Sequence, residues 1–151
     1  MTALRRLPRN DEVLWVPRPL PATGRFEVDA TWGRVQSLEL APGVRTIGEL
    51  ELIAHLEAGG VAIDTRLEHH RREATIPGSV GMPHGQILDR RDEIDPDAPA
   101  AYFCNGPQCA ATPDAIHRLL GIGHPAAAML YYRGGMHDWM TLGFPVVRGQ
   151  A

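Results

Sequence analysis

The chain reads Ala100-Ala101-Tyr102-Phe103-Cys104-Asn105-Gly106-Pro107-Gln108-Cys109 over residues 100–109, and Thr112-Pro113-Asp114 follows after two alanines. The first four residues are apolar or aromatic and predict a buried β-strand that ends at Cys104. Proline and an acidic residue near the start of the next segment predict a helix over about 112–120. A strand, a short loop and a helix in this order are typical of an α/β fold.

The loop between these two elements places Cys104 where backbone N–H groups lack partners. The start of a helix carries free N–H groups and the positive end of the helix dipole. Both stabilise a thiolate, and they are expected to lower a thiol pKa from about 8.5 to roughly 7. Gly106 is expected to turn amides towards the sulfur. Cys104 is thus a candidate nucleophile, and an inert buried cysteine is the alternative.

Strand and helix patterns alternate along the rest of the chain. Strands are predicted over 61–63, 79–82 and 127–132, a short polar helix over 66–72, and a last helix around Trp139. Thr46-Ile47-Gly48-Glu49 has the spacing of a capping box, which predicts that a helix begins there and ends at Gly59-Gly60. This order predicts a parallel sheet with helices on both faces. Ligands of such sheets bind at the carboxyl ends of the strands, where Asp64, Cys104 and Arg133 are expected.

Several short motifs occur in a fixed order along the chain. They are Gly60-Val61-Ala62-Ile63-Asp64-Thr65-Arg66, Ile76-Pro77-Gly78-Ser79-Val80, the loop after Cys104, Tyr132-Arg133-Gly134-Gly135-Met136-His137-Asp138-Trp139 and Gly143-Phe144-Pro145-Val146. Together, over about 44–147, they resemble the rhodanese-like (sulfurtransferase) family. The resemblance implies a central parallel five-stranded sheet with helices on both faces. It also implies that Cys104 carries sulfur as a persulfide.

The implied reaction moves sulfane sulfur from thiosulfate or a persulfide to a thiol or cyanide acceptor, without a cofactor. The loop departs from the common family pattern, which usually carries an arginine or lysine that helps to bind the donor anion. Here Asn105, Gln108, Ala110 and Ala111 are uncharged, and Pro107 has no N–H to donate. A persulfide on a small thiol or on a protein demands less charge than thiosulfate. Arg133 supplies the missing cation or forms a surface ion pair.

Cys109 is the second departure, and it resembles a subgroup with a Cys-Asn-Gly-Pro-x-Cys loop. It either packs inward against the sheet or resolves an oxidised Cys104, which would make the protein a thiol redox or arsenate-reductase-like enzyme. A non-catalytic binding module is a third interpretation. Phosphatases of this fold need an arginine where this chain has Ala110, so phosphatase activity is not expected.

Other polar residues receive two interpretations each. Asp64 and Arg66 match an Asp-x-Arg element of the family and are expected to tie the strand end to nearby loops, with Glu73 as a second partner for Arg66. His137 either lines the pocket as a proton relay or caps a helix at the surface. Cys104, Cys109 and His117 are too few for a metal site, so no metal is expected.

Composition limits the partners. The chain has 151 residues, a net charge of −3 and two cysteines, and it shows no basic stripe, leader or long apolar run. A cytoplasmic protein that binds neither nucleic acid nor membranes is expected. Residues 1–43 form a proline-rich N-terminal extension, and residues 44–148 form one domain. Trp15 and Trp32 predict that part of the extension packs on this domain or on a partner subunit of an oligomer.

Overall fold

A computed structural model describes residues 16–28 and 33–150. Trp15 and Trp32 lie outside these residues, so the expected packing of the extension through them stays a prediction. The strands are β1 Arg18–Leu20, β2 Arg25–Glu27, β3 Arg45–Ile47, β4 Val61–Asp64, β5 Val80–Gly81, β6 Ala100–Phe103 and β7 Met129–Tyr132. The α-helices are α1 Glu49–Glu57, α2 Glu68–Glu73, α3 Ala111–Gly121 and α4 Gly135–Thr141.

Five strands form one sheet in the order β3-β7-β6-β4-β5, and every neighbouring pair is parallel. The strand that precedes Cys104 lies at the centre, and all four of its residues are buried. A strand buried on both faces reads as a continuous apolar run, which explains the sequence from Ala100 to Phe103. The predicted α/β fold with a five-stranded parallel sheet is confirmed.

Side chains of the central strands alternate between two hydrophobic clusters. Tyr102 points towards α3 and packs with Ile116 and Leu119. Phe103 points to the opposite face, where α1 contributes Leu52 and α4 contributes Trp139. Because successive residues of a strand face opposite sides, helices on both faces are needed to bury both sets.

The edge strand β3 occupies the segment that the sequence assigned to the start of a helix, so the predicted capping box is wrong. Thr46 and Ile47 belong to β3, and the hydroxyl of Thr46 donates to the carbonyl of Leu38. The helix begins two residues later than the capping box predicts, with Gly48 at its N-cap and no side-chain cap. Pairing with β7 buries Ile47, and this long-range contact outweighs the local capping signal.

The extension contains a small antiparallel sheet of β1 and β2. Val16, which precedes β1 in the extension, packs partly against the hydrophobic cluster that contains Trp139. The boundary between residues 43 and 44 stays a prediction. Across the described part of the chain, no helix is long and apolar enough to cross a membrane.

Candidate active site

The carboxyl ends of three neighbouring strands bring the expected site residues to one edge of the sheet. Asp64 is the last residue of β4, Cys104 follows β6, and Arg133 follows β7. Parallel strands end on the same side, so the spacing along the chain becomes proximity in space.

Cys104 lies beneath the start of α3. Its sulfur accepts a hydrogen bond from the N–H of Thr112 at 3.4 Å, and its side chain is almost completely buried, with 2% of the residue exposed. The hydroxyl of Thr112 lies 2.8 Å from that of Thr65, which donates to the carbonyl of Phe103 at 3.1 Å. These buried contacts fix the helix start against the strand end. The expected N–H donation from the helix to the Cys104 sulfur is therefore present.

The two thiols contact each other, and their surroundings shift their pKa values in opposite directions. Burial and the adjacent Cys109 raise the pKa of Cys104 well above its ordinary value, although Thr112 acts in the other direction. The hydrogen bond from Cys104, together with the N–H groups of Ala111 and Asn105, lowers the pKa of Cys109 to about 7. Burial and the neighbouring thiol thus oppose the ionisation of Cys104 that the start of α3 favours, and the expected acidity of Cys104 stays a prediction.

The loop backbone is held by the start of α4. The N–H of Met136 donates to the carbonyl of Cys104 at 3.0 Å, and the N–H of His137 donates to that of Asn105 at 2.7 Å. Within the loop, the N–H of Cys109 donates to the carbonyl of Gly106 at 3.0 Å and closes a turn. These bonds keep the two cysteines at opposite ends of a short, fixed turn.

Gly106 is required for close packing. A Cβ at this position would lie 2.8 Å from the Cβ of His137. The φ angle of Gly106 is not positive, so the course of the loop there does not depend on a left-handed backbone conformation. Gly135 adopts the left-handed conformation, with φ 58°, and a Cβ there would overlap the carbonyl oxygen of Cys104. Both glycines let α4 approach the cysteine loop.

Asp64 and Arg66 form a buried ion pair at 2.9 Å. Arg66 also donates to the carbonyl of Ala74 at 2.6 Å and to Oδ1 of Asn105 at 3.3 Å. The guanidinium thus connects the end of β4 to the cysteine loop. Within the described part of the chain, the Arg66 side chain donates to Asp64, Ala74 and Asn105 and not to the expected partner Glu73.

Arg133 faces the extension. Its Nε and Nη2 donate to the carbonyl of Gln36 at 3.1 and 2.8 Å. The N–H of Gln36 in turn donates to the carbonyl of Pro107 at 2.7 Å. Arg133 therefore holds the extension against the loop. Two further loop residues were expected at the site. The backbone of Gln108 packs beside Gly33, and Ala110 is the exposed N-cap of α3.

A pocket of about 260 Å³ opens beside the loop. Its wall contains Cys109 but not Cys104, and His137 is not part of it. Its lining residues are Arg66, Leu67, His69, His70, His84, Asn105, Cys109 and Ala111.

The three histidines of this pocket were missed in the sequence because they lack metal-ligand spacing. His69 and His70 sit at the start of α2, with ring centroids 4.0 Å apart. Burial, followed by the nearby His69 and Arg66, lowers the pKa of His70. Nδ1 of His84 lies 2.7 Å from Oδ2 of Asp114 on α3. All three histidines follow the carboxyl end of β4 or β5, and this position was the signal in the sequence that could have placed them near the site.

A family model for the rhodanese-like domain matches residues 49–142. The chain therefore belongs to the rhodanese-like domain family. One curated relative is the HTH-type transcriptional regulator Rv0324 of Mycobacterium tuberculosis, with 30% identity over 104 residues, 68% of this chain and 45% of the regulator. The chain thus spans less than half the length of that relative.

Solved structures share the fold. A thiosulfate sulfurtransferase from Pseudomonas aeruginosa superimposes with a TM-score of 0.59 at 24% identity, over 72% of this chain and 21% of the enzyme. A rhodanese-related protein from Thermoplasma volcanium gives a TM-score of 0.57 at 20% identity, over 70% of this chain and 99% of its own. At these identities the likeness concerns the fold.

Proposed function

We propose that this chain is a sulfurtransferase that carries sulfane sulfur as a persulfide on Cys104. The observation that carries the proposal is a two-thiol loop at the carboxyl end of β6, open to a pocket and supplied with N–H donors. A persulfide is anionic at neutral pH, so the N–H of Thr112 and the start of α3 stabilise it. Membership of the rhodanese-like domain family supports this chemistry.

The reaction consists of two displacements. In the first, a thiolate of the loop attacks the outer sulfur of the donor, the S–S bond of the donor breaks, and sulfite or a thiolate leaves. In the second, an acceptor thiolate or cyanide attacks the outer sulfur of the persulfide and regenerates the cysteine thiolate. No electrons enter or leave the protein in either step, so the reaction needs no redox cofactor.

The pocket favours a small organic persulfide as the donor. Among the described residues, no carboxylate lines it, whereas Arg66 and three imidazoles do. The charge of Arg66 is already balanced by Asp64 at 2.9 Å, and Arg133 is bonded to the extension. A dianion such as thiosulfate would therefore lack a dedicated cation, whereas a monoanionic persulfide requires less positive charge.

A thiol redox function is the second candidate, because the two sulfurs are already in hydrogen-bond contact. An oxidant would convert both thiols to a disulfide with the loss of two electrons and two protons. One relative is a transcriptional regulator, and this favours redox sensing as the role of such a disulfide.

A turnover assay tests the proposal. The wild-type protein is incubated with an inorganic polysulfide or thiosulfate and cyanide, and the thiocyanate formed is measured. We expect turnover that is faster with polysulfide and absent from the Cys104→Ser/Cys109→Ser double variant. Equal thiocyanate formation by wild type and double variant would refute it.

A further inference from the structure

The two sulfurs of the loop differ in their access to the pocket. Cys109 forms part of the wall of the 260 Å³ pocket, whereas Cys104 does not. Cys104 is 2% exposed and Cys109 is 8% exposed. A small donor that enters the pocket therefore lies against Cys109, whereas Cys104 is outside the pocket wall.

Their hydrogen-bond environments differ in the same direction. The sulfur of Cys109 receives N–H bonds from Asn105 and Ala111, and Arg66 adds a positive charge nearby. The sulfur of Cys104 accepts a hydrogen bond from the N–H of Thr112. The same thiol donates to the carbonyl of Cys109 at 3.7 Å. Cys109 is thus placed as the thiolate of the pair and Cys104 as the protonated partner.

We propose that Cys109 is a second catalytic cysteine, which accepts the sulfane sulfur from the pocket and passes it to Cys104. The proposal rests on the proposed sulfur transfer at this loop and assigns its first step to a different residue. Cys104 then holds the sulfur beside the start of α3 until the acceptor removes it.

Both steps balance without an added oxidant or reductant. In the first, the Cys109 thiolate attacks the outer sulfur of the donor, the S–S bond of the donor breaks, and its inner sulfur leaves as a thiolate or as sulfite. In the second, the sulfur of Cys104 attacks the outer sulfur of the Cys109 persulfide. A bond between Cys104 and the transferred sulfur forms, the bond to Cys109 breaks, and the proton of Cys104 moves to Cys109.

The test follows sulfur addition in wild type and in a matched pair of variants, Cys104→Ser and Cys109→Ser. Each protein is mixed with an inorganic polysulfide, quenched at short times by alkylation, and digested. Fragmentation before Pro107 separates the two cysteines of the resulting peptide in the mass spectrometer. Circular dichroism of each variant establishes that it is folded.

We expect the sulfur on Cys109 at early times and on Cys104 later in wild type. Cys104→Ser should still gain one sulfur, on Cys109. Cys109→Ser should load Cys104 more slowly by about tenfold or more, because the buried thiol is largely protonated at neutral pH. Loading of Cys109→Ser at the wild-type rate, or no gain by folded Cys104→Ser, overturns the relay and leaves sulfur transfer standing. No gain by wild type overturns both.

A second measurement avoids substitutions altogether. Wild type is treated with less than one equivalent of iodoacetamide at neutral pH, and the modified cysteine is identified. We expect Cys109 to be alkylated first. Preferential alkylation of Cys104 contradicts the proposed order.

Discussion

The N–H of Gln36 donates to the carbonyl of Pro107 across 2.7 Å. This bond joins the N-terminal extension to the cysteine loop, 71 residues further along the chain. Arg133 completes the contact by donating to the carbonyl of Gln36. The extension is therefore a structural support of the loop, and no family motif points to this role.

Arg133→Ala removes two donors from the carbonyl of Gln36. Hydrogen bonds to a charged group contribute about 1.5–3 kcal/mol each at most, so we expect the amide of Gln36 to exchange with solvent about tenfold faster or more. Hydrogen exchange followed by mass spectrometry measures this. Arg45→Ala is the control, because Arg45 forms an exposed ion pair with Glu51. Equal protection of Gln36 in both variants would show that Arg133 does not hold the extension.

Asp64→Asn leaves two buried guanidinium groups short of a negative charge. Asp64 is 2.9 Å from Arg66 and 3.7 Å from Arg71. Breaking a buried pair typically costs about 3–5 kcal/mol, and we expect a loss of this size in the free energy of unfolding, measured with urea. Glu51→Gln breaks the exposed pair with Arg45 and should cost less than about 1 kcal/mol. Similar losses in the two variants would be inconsistent with a buried network.

Much of the fold could be predicted because its signals are local. The run from Ala100 to Phe103 marks a strand, and the Gly59-Gly60 pair that follows the end of α1 marks the end of a helix, both without reference to their neighbours. The strand over Arg45–Ile47 could not be predicted in this way, since its pairing partner β7 is 85 residues away. Leu50 is 79% exposed although its spacing from Ile47 and Ile53 follows a helical period, and Leu52 is the buried residue of α1.

Gly106→Ala adds a Cβ that would lie 2.8 Å from the Cβ of His137, which is too close for two carbon atoms. We expect the loop or α4 to shift, at a cost of about 1–3 kcal/mol. Thermal unfolding and the rate of sulfur loading should both report the change. Gly85→Ala is the matched control, because a Cβ there has no described atom within 4 Å; it should stay within about 0.5 kcal/mol of wild type. Equal melting temperatures would contradict the close approach of α4.

The rate of sulfur loading should depend on pH through the thiol pair. The contacts of Cys109 lower its pKa to about 7, so the thiolate fraction rises as pH increases towards 7 and levels off above it. We expect the rate to rise about tenfold per pH unit below this value and then to reach a plateau. In Cys109→Ser, burial holds the pKa of Cys104 above its ordinary value, so the rate should continue to rise at alkaline pH. A plateau near pH 7 in both proteins would assign the ionisation to another group.

The site could be located from the sequence, whereas its electrostatics could not. Strand ends placed Asp64, Cys104 and Arg133 at one edge of the sheet. The acidity of Cys104, however, depends on its burial and on the sulfur of Cys109, and both follow from the three-dimensional course of the loop. His69 and His70 lie in the segment predicted as a short polar helix, and His84 follows β5, so the sequence does not indicate that they share a pocket. Such properties arise from contacts between distant segments, which a linear pattern does not record.

The intact mass of the protein after incubation with an inorganic polysulfide tests the central claim most directly. Wild type should gain one sulfur atom that a reducing thiol removes, and fragmentation should place it within residues 104–109. The Cys104→Ser/Cys109→Ser double variant should gain none. An unchanged wild-type mass, or the same gain in the double variant, would contradict sulfur transfer at this loop.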